Sequence, residues 1–268
     1  MTHDHTSTPA GEGPSRPPDE IIVFAPPPAA DRWPHRRGEP RLFALAWTIY
    51  LLGATVACYG QLIWGGVIDP LSARFAAREL LVLVAVGVSI LWPALRLSQV
   101  LPREGGVAAT SKDLFVVAVP SQAVVWPLSM LALWPVWTVA AIAASLFAWT
   151  ALIGGALAFA LGPAHADPAR PQGAWTRPAW AAAFVALATA GPLLSVGWPS
   201  SSSRAVALAW LASPATGLLE IARDRSWSGE PTAFLAEHAV ALAVVLALAG
   251  AAWVLASARE RARVAGPR

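Results

Sequence analysis

Six apolar runs decide most of what this chain can fold into. A helix needs about 20 apolar residues to cross roughly 30 Å of bilayer hydrocarbon. The runs Leu42 to Trp64, Leu80 to Leu97, Leu114 to Leu133, Val136 to Leu161, Trp180 to Val196 and Ala236 to Ala256 meet or approach that length. The second and fifth are short and need helical flanks to complete a span. Trp64, Trp134, Trp137, Trp180 and Trp198 stand at or near run ends, where the bilayer interface favours indole rings. Only 13% of residues are charged, against about 25% in soluble domains. The expected fold class is therefore all-α: a polytopic membrane helix bundle of about six transmembrane helices plus one re-entrant or interfacial element, with the lipid bilayer as its surroundings.

The 19 basic and 16 acidic residues fall mostly between the runs, as the cost of charge in hydrocarbon requires. A net charge of +3 then reads as a topology signal, and no nucleic-acid partner is expected. Lys112 is the one lysine among the basic residues; the richness in Arg and Ala fits a GC-rich bacterial genome and so a bacterial inner membrane. Cys58 is the single cysteine, which excludes an intrachain disulfide and a thiolate metal cluster built by one chain. Residues 1–41, rich in Pro, Gly, Ser and charge, read as a mostly disordered cytoplasmic tail, and residues 258–268 as a basic cytoplasmic tail.

Arginines orient the spans. Arg32, Arg36, Arg37 and Arg41 place the N-terminus in the cytoplasm under the positive-inside rule. Alternation then puts Arg96, Arg103 and Lys112 inside, the Trp134-Pro135 turn outside, and Arg170 and Arg177 inside. A seventh apolar stretch, Ala205 to Ile221, is interrupted by Ser213-Pro214 and ends on Glu220. If it crossed, Arg259, Arg261, Arg263 and Arg268 would face outside while the acidic stretch from Glu220 to Glu237 faced inside, against the rule at both ends. The stretch is therefore expected to be re-entrant or interfacial. Arg74 and Arg78 dissent, being basic in a loop assigned to the outside.

The chain shows little chemistry of its own. A P-loop requires G-x-x-x-x-G-K-[ST], and Lys112 has no glycine frame around it. No acid or histidine stands in the middle of a run, which argues against a proton relay. His238 beside Glu237, the tail sequence His3-Asp4-His5, and Ser129 or Ser195 without a framing motif read as solvated or structural side chains. No catalytic, cofactor or metal residues are expected, and the chain is not expected to be an enzyme. Gln61 and Gln122 read as interhelical polar contacts. Small residues at i and i+4, in Ala140, Ala144 and Ala148 and again in Ala151 and Gly155, permit close helix approach within the bundle or between two copies. Trp92-Pro93 and Trp126-Pro127 mark helix-shaping prolines.

The loop from Arg96 to Asp113 concentrates charge, including Arg103, Glu104 and Lys112, around a Gly105-Gly106 break, with helix starts expected at Thr110 or Ser111. It is the candidate surface for a soluble partner. A cytoplasmic tail, six spans, this loop after the second span and a membrane-dipping element before the last together resemble the permease subunits of ABC-2-type exporters. That resemblance implies a transporter subunit, a separate ABC-type ATPase as partner, a homodimer, and a coupling role for Arg96, Arg103, Glu104, Lys112 and Asp113. The alternative reading is a membrane scaffold or assembly factor that moves nothing.

Overall fold

A computed structural model describes residues 40–65, 69–99, 105–162, 176–197, 208–224 and 236–264. Apart from an isolated bridge at Asp224, regular structure among these residues is helical. The helices are α1 (Pro40–Gly65), α2 (Pro70–Val86), a π-helical turn (Gly87–Leu91), α3 (Trp92–Ser98), α4 (Gly106–Val125), α5 (Leu128–Leu131), α6 (Val136–Leu161), α7 (Thr176–Gly197), α8 (Pro214–Ile221) and α9 (Ala236–Val264). Six stretches are long and apolar enough to cross a bilayer: Phe43–Gly60, Pro70–Ser98, Gly106–Leu131, Val136–Leu161, Thr176–Ser195 and Ala236–Ala262. The chain is an all-α polytopic bundle.

Several helices start earlier or end later than their apolar runs. The second span begins at Pro70 because the Asp69 carboxylate accepts the Leu71 and Ser72 amides at 2.7 and 3.0 Å, and proline at the first helical position has no amide to lose. Arg74 and Arg78 are thus helical residues and not loop residues. The third span begins at Gly106, so Thr110 and Ser111 lie inside it. Gly105 adopts φ 91°, and the Gly106 amide donates to Gly162 O at 2.8 Å. A Cβ on Gly106 would stand 2.4 Å from Ala158 O, so glycine lets α4 start hard against the end of α6. Past Ala256, α9 runs on to Val264 through helix-favouring Ala, Arg and Glu.

The prolines act where the sequence places them. Pro93 has no amide for the turn before it, and the helix opens there into the π turn, with the Trp92 amide reaching back to Gly87 O; such one-residue bulges absorb a break in the hydrogen-bond ladder. Pro127 separates α4 from α5.

The second and fourth spans form the centre, each with 61% of its apolar window buried inside the protein, whereas the fifth and sixth have only 17% buried and present most of their surface to lipid. Polar side chains tie the helices by bonding backbone carbonyls across the packing: Trp47 Nε1 to Val117 O at 3.2 Å, Gln122 Nε2 to Ala143 O at 2.9 Å, and Trp253 Nε1 to Ala151 O at 2.9 Å. The Ala151-Gly155 step packs within the bundle, since a Cβ on Gly155 would meet Ala252 Cβ at 2.9 Å.

One end of the bundle gathers the start of α1, the end of α3, the starts of α4 and α7, and the ends of α6 and α9. Arg96 lies over the Phe43 ring at 5.4 Å. Arg177 donates to Leu97 O and Gln99 O, and Arg259 to Phe159 O at 2.7 Å. At the opposite end Arg74 donates to Ala132 O and Arg78 to Ala222 O. The last span therefore ends on the side where the first begins, and residues 208–221 fold back on themselves, with Thr216 bonded to Trp210 O; residues 205–207 lie outside the described residues.

Candidate functional site

Arg96 and Asp113 come together at the first end. The Arg96 guanidinium donates through Nε and Nη2 to the two Asp113 oxygens, the bidentate arrangement that suits a planar fork. Both side chains are buried, Asp113 completely. Nη1 of Arg96 donates to Gln99 Oε1 at 2.8 Å, and Trp92 Nε1 approaches Asp113 Oδ2 at 3.5 Å. A charge pair removed from water holds only when its remaining hydrogen-bonding capacity is met in this way. Thr110 Oγ1, one turn before Asp113, is buried with no partner.

The pair joins the second span to the third on either side of the connecting loop. Arg177 adds the fifth span through Leu97 O and Gln99 O at 3.3 and 3.1 Å, and Gly106 adds the fourth through Gly162 O. A push on this loop would therefore reach four spans. Of the residues singled out in the loop, Lys112 is exposed on α4, while Arg103 and Glu104 lie outside the described residues, as do Arg170 and His3-Asp4-His5. Gln61 belongs to α1, but its side chain also lies outside the described residues.

The opposite end is organised around Asp224, just past α8. Arg78 pairs with it through Nη2, and Arg74 Nη1 stands 3.8 Å away. Both arginines also bond carbonyls, at Ala132 and Ala222. The basic residues that sat awkwardly in the charge count are thus engaged locally, holding the end of α8 and the turn after α5. The Asp69 carboxyl at this end lies below the usual carboxylate range, first because the Ser72 hydroxyl bonds it, then because backbone amides do.

Residues 208–221 form a helical hairpin: a helical turn at 208–211, a break at Ala212-Ser213, then α8. The buried Ser213 hydroxyl donates to Ala188 O at 2.6 Å, nine residues before the end of α7 and so about 13 Å down that helix. Thr216 closes the hairpin by donating to Trp210 O at 2.6 Å, and Gly191 leaves the room it needs, because a Cβ there would stand 2.1 Å from Thr216 Oγ1. The hairpin turn thus reaches mid-span while its far end rests on Arg78. The break expected at Ser213-Pro214 in the seventh stretch is thus the turn of this hairpin.

Between the hairpin, α6, α7 and the first half of α9 lies a cavity of about 620 Å³. Trp149, Leu187, Leu211, Val244 and Leu248 represent its wall, in which Glu237 is the only ionisable side chain among the described residues. His238 beside it is buried, not solvated. Nothing in the sequence marks this cavity, because its walls are apolar residues of the same kind that face lipid elsewhere. The Arg96–Asp113 partnership was also hidden, although each residue stood in the candidate loop: only the early start of α4 at Gly106 turns Asp113 from a loop acid into a buried one.

Fold and site define an integral, multi-pass membrane protein whose second and third spans are joined by a buried ion pair and whose residues 208–221 form a hairpin packed against α7. No protein-family model matches the chain, and no curated protein or solved structure matches it significantly.

Proposed function

We propose that this chain is the membrane-spanning subunit of a transporter driven by a separate ATP-hydrolysing protein, of the ABC-2 exporter type, working as a dimer in the cell membrane. The observation that carries the reading is the clamp on the loop between the second and third spans. Arg96 and Asp113, with Arg177 and the Gly106–Gly162 contact, fasten the chain on either side of that loop to four spans. A partner that moved the loop would then move the bundle and not merely the connection. The re-entrant hairpin beside an apolar cavity supports it, as a place where the membrane phase is open to the protein's interior. The loop end would face the cytoplasm: Arg177, Arg259 and Arg261 cluster there, whereas the Arg74 and Arg78 charges at the other end are offset by Asp224, Asp69 and Glu79.

Purification of the full chain in gentle detergent from its native membranes, with mass-spectrometric identification of stoichiometric partners, tests the reading. An ABC-type ATPase is expected to accompany the chain, and its ATP hydrolysis in reconstituted vesicles is expected to change when Lys112→Glu reverses the exposed charge beside the clamp. Absence of any ATPase from the preparation, or hydrolysis by a neighbouring gene's ATPase that is indifferent to this chain, would overturn it and leave a scaffold as the better account.

A further inference from the structure

The 620 Å³ cavity calls for an occupant. Its walls are fixed from both sides. The hairpin is held at mid-span by Ser213 on Ala188 O and at its end by Arg78 on Ala222 O. The last helix is held to α6 by Trp253 on Ala151 O and Arg259 on Phe159 O. The space is therefore built into the packing and does not close when the helices settle. Its volume falls in the range of roughly 300–1,000 Å³ found for ligand sites.

Water is a poor occupant. A buried water needs two to four polar partners, and apolar cavities stay dry; here Glu237, at the very start of α9, is the one ionisable group in the wall among the described residues. The fluid at this depth is hydrocarbon, because α7 and α9 bury little of themselves inside the protein and are bathed in lipid on their outer faces. Along α9 the wall runs from Ala236 to Leu248, about 18 Å at 1.5 Å per residue. That is close to one leaflet, half of the roughly 30 Å hydrocarbon thickness. The dimension runs from the polar end of the last span inward to the middle of the membrane, as a lipid tail does.

We propose that this cavity is a lipid-tail site, holding an acyl chain of a bilayer phospholipid from the leaflet on the Asp224 side, with the headgroup near the start of α9. The tail lies between the hairpin and the last span, and it enters sideways from the bilayer. The site does not depend on the transport reading, since a tail fills the cavity whether or not anything is moved.

The test uses the full chain in nanodiscs of phosphatidylcholine carrying a trace of phosphatidylcholine with a diazirine at mid-tail. After photolysis, adducts are mapped by mass spectrometry. Adducts are expected to concentrate on the buried part of the cavity wall, at Trp149, Leu211 and Val245, over the freely lipid-exposed Leu255 on the outer surface of α9. Filling the cavity with Ala241→Trp from the helix, or Ala212→Trp from the hairpin, is expected to lower the wall adducts about tenfold while those on Leu255 persist. Wall labelling in the native chain no greater than at Leu255 overturns the proposal even if neither variant folds. So does wall labelling that both folded variants leave unchanged. An ATPase partner could be missing with the wall labelling intact, so the two proposals fail separately.

Discussion

The second and fourth spans and the fifth and sixth are built from the same apolar alphabet, yet they behave as different materials. The central pair interlocks large side chains, with Leu80, Leu81, Val84, Trp92, Ile142, Leu146 and Ile153 all fully buried. The outer pair leaves a cavity between them, spaced by the hairpin and fastened by a few hydrogen bonds to carbonyls. In lipid, apolar surface gains nothing by leaving its solvent, so helix association rests on close packing and polar contacts. The centre relies chiefly on the first; at the rim, close packing is confined to the approach of α9 to α6 at Gly154 and Gly155, and hydrogen bonds to carbonyls hold the hairpin.

The sharpest way to break that contrast is at the clamp. Asp113→Ala leaves the Arg96 guanidinium buried without its anion and is expected to cost about 3–5 kcal/mol, read as a loss of resistance to unfolding in mixed detergent micelles. Replacing both partners with apolar residues is expected to restore most of it. Next comes packing: Ile142→Ala opens a void in the centre and is expected to cost about 2 kcal/mol, at the low end of the core-truncation range because no transfer from water is involved. The matching Leu248→Ala, in the cavity wall, is expected to stay within about 0.5 kcal/mol. Equal costs for the two leucine-sized truncations would erase the distinction.

Smaller effects sharpen it. Trp253→Phe removes the indole donor to Ala151 O and is expected to cost about 0.6 kcal/mol, a common value for interhelical hydrogen bonds in membranes, with faster hydrogen exchange in the last span than in the fourth. Smallest is a pH effect at Asp69. Its carboxyl titrates below the ordinary 3.8, so the cap helps the fold above that value and is lost as pH falls through the lowered one. Amide protection of the first turn of α2 is expected to hold steady from neutral pH down to about 5 and to weaken only below the ordinary carboxylate range, while the centre of the same span does not respond.

The architecture was legible because bilayer thickness converts directly into run length: Val136 to Leu161 appears as a helix with those very ends. The start of α4 was not, because hydropathy sees Lys112 and Asp113 as the edge of a run and has no sense of Gly106 nestling on Ala158 O. Arg74 and Arg78 were assigned to a loop for the same reason, since charged residues paired with Asp224 or bonded to carbonyls look solvated until their partners are in place. Gln122 was read as an interhelical contact, and it donates to Ala143 O, though nothing in the sequence named that partner. The cavity had no signature at all, for a wall and a lipid-facing surface share one composition.

The π turn at Gly87–Leu91 holds one residue more than α-helical winding would accept. If that surplus were wound into the helix, everything beyond it would swing by about 100°, and Arg96 would point away from Asp113. Conversely, a chain shortened by a single residue between Val88 and Ile90 should lose the surplus and keep Arg96 aimed correctly, with the break in the ladder at Pro93 remaining, whereas one lengthened there should not. The bulge thus sets the angular phase between the loop end of the second span and the rest of it.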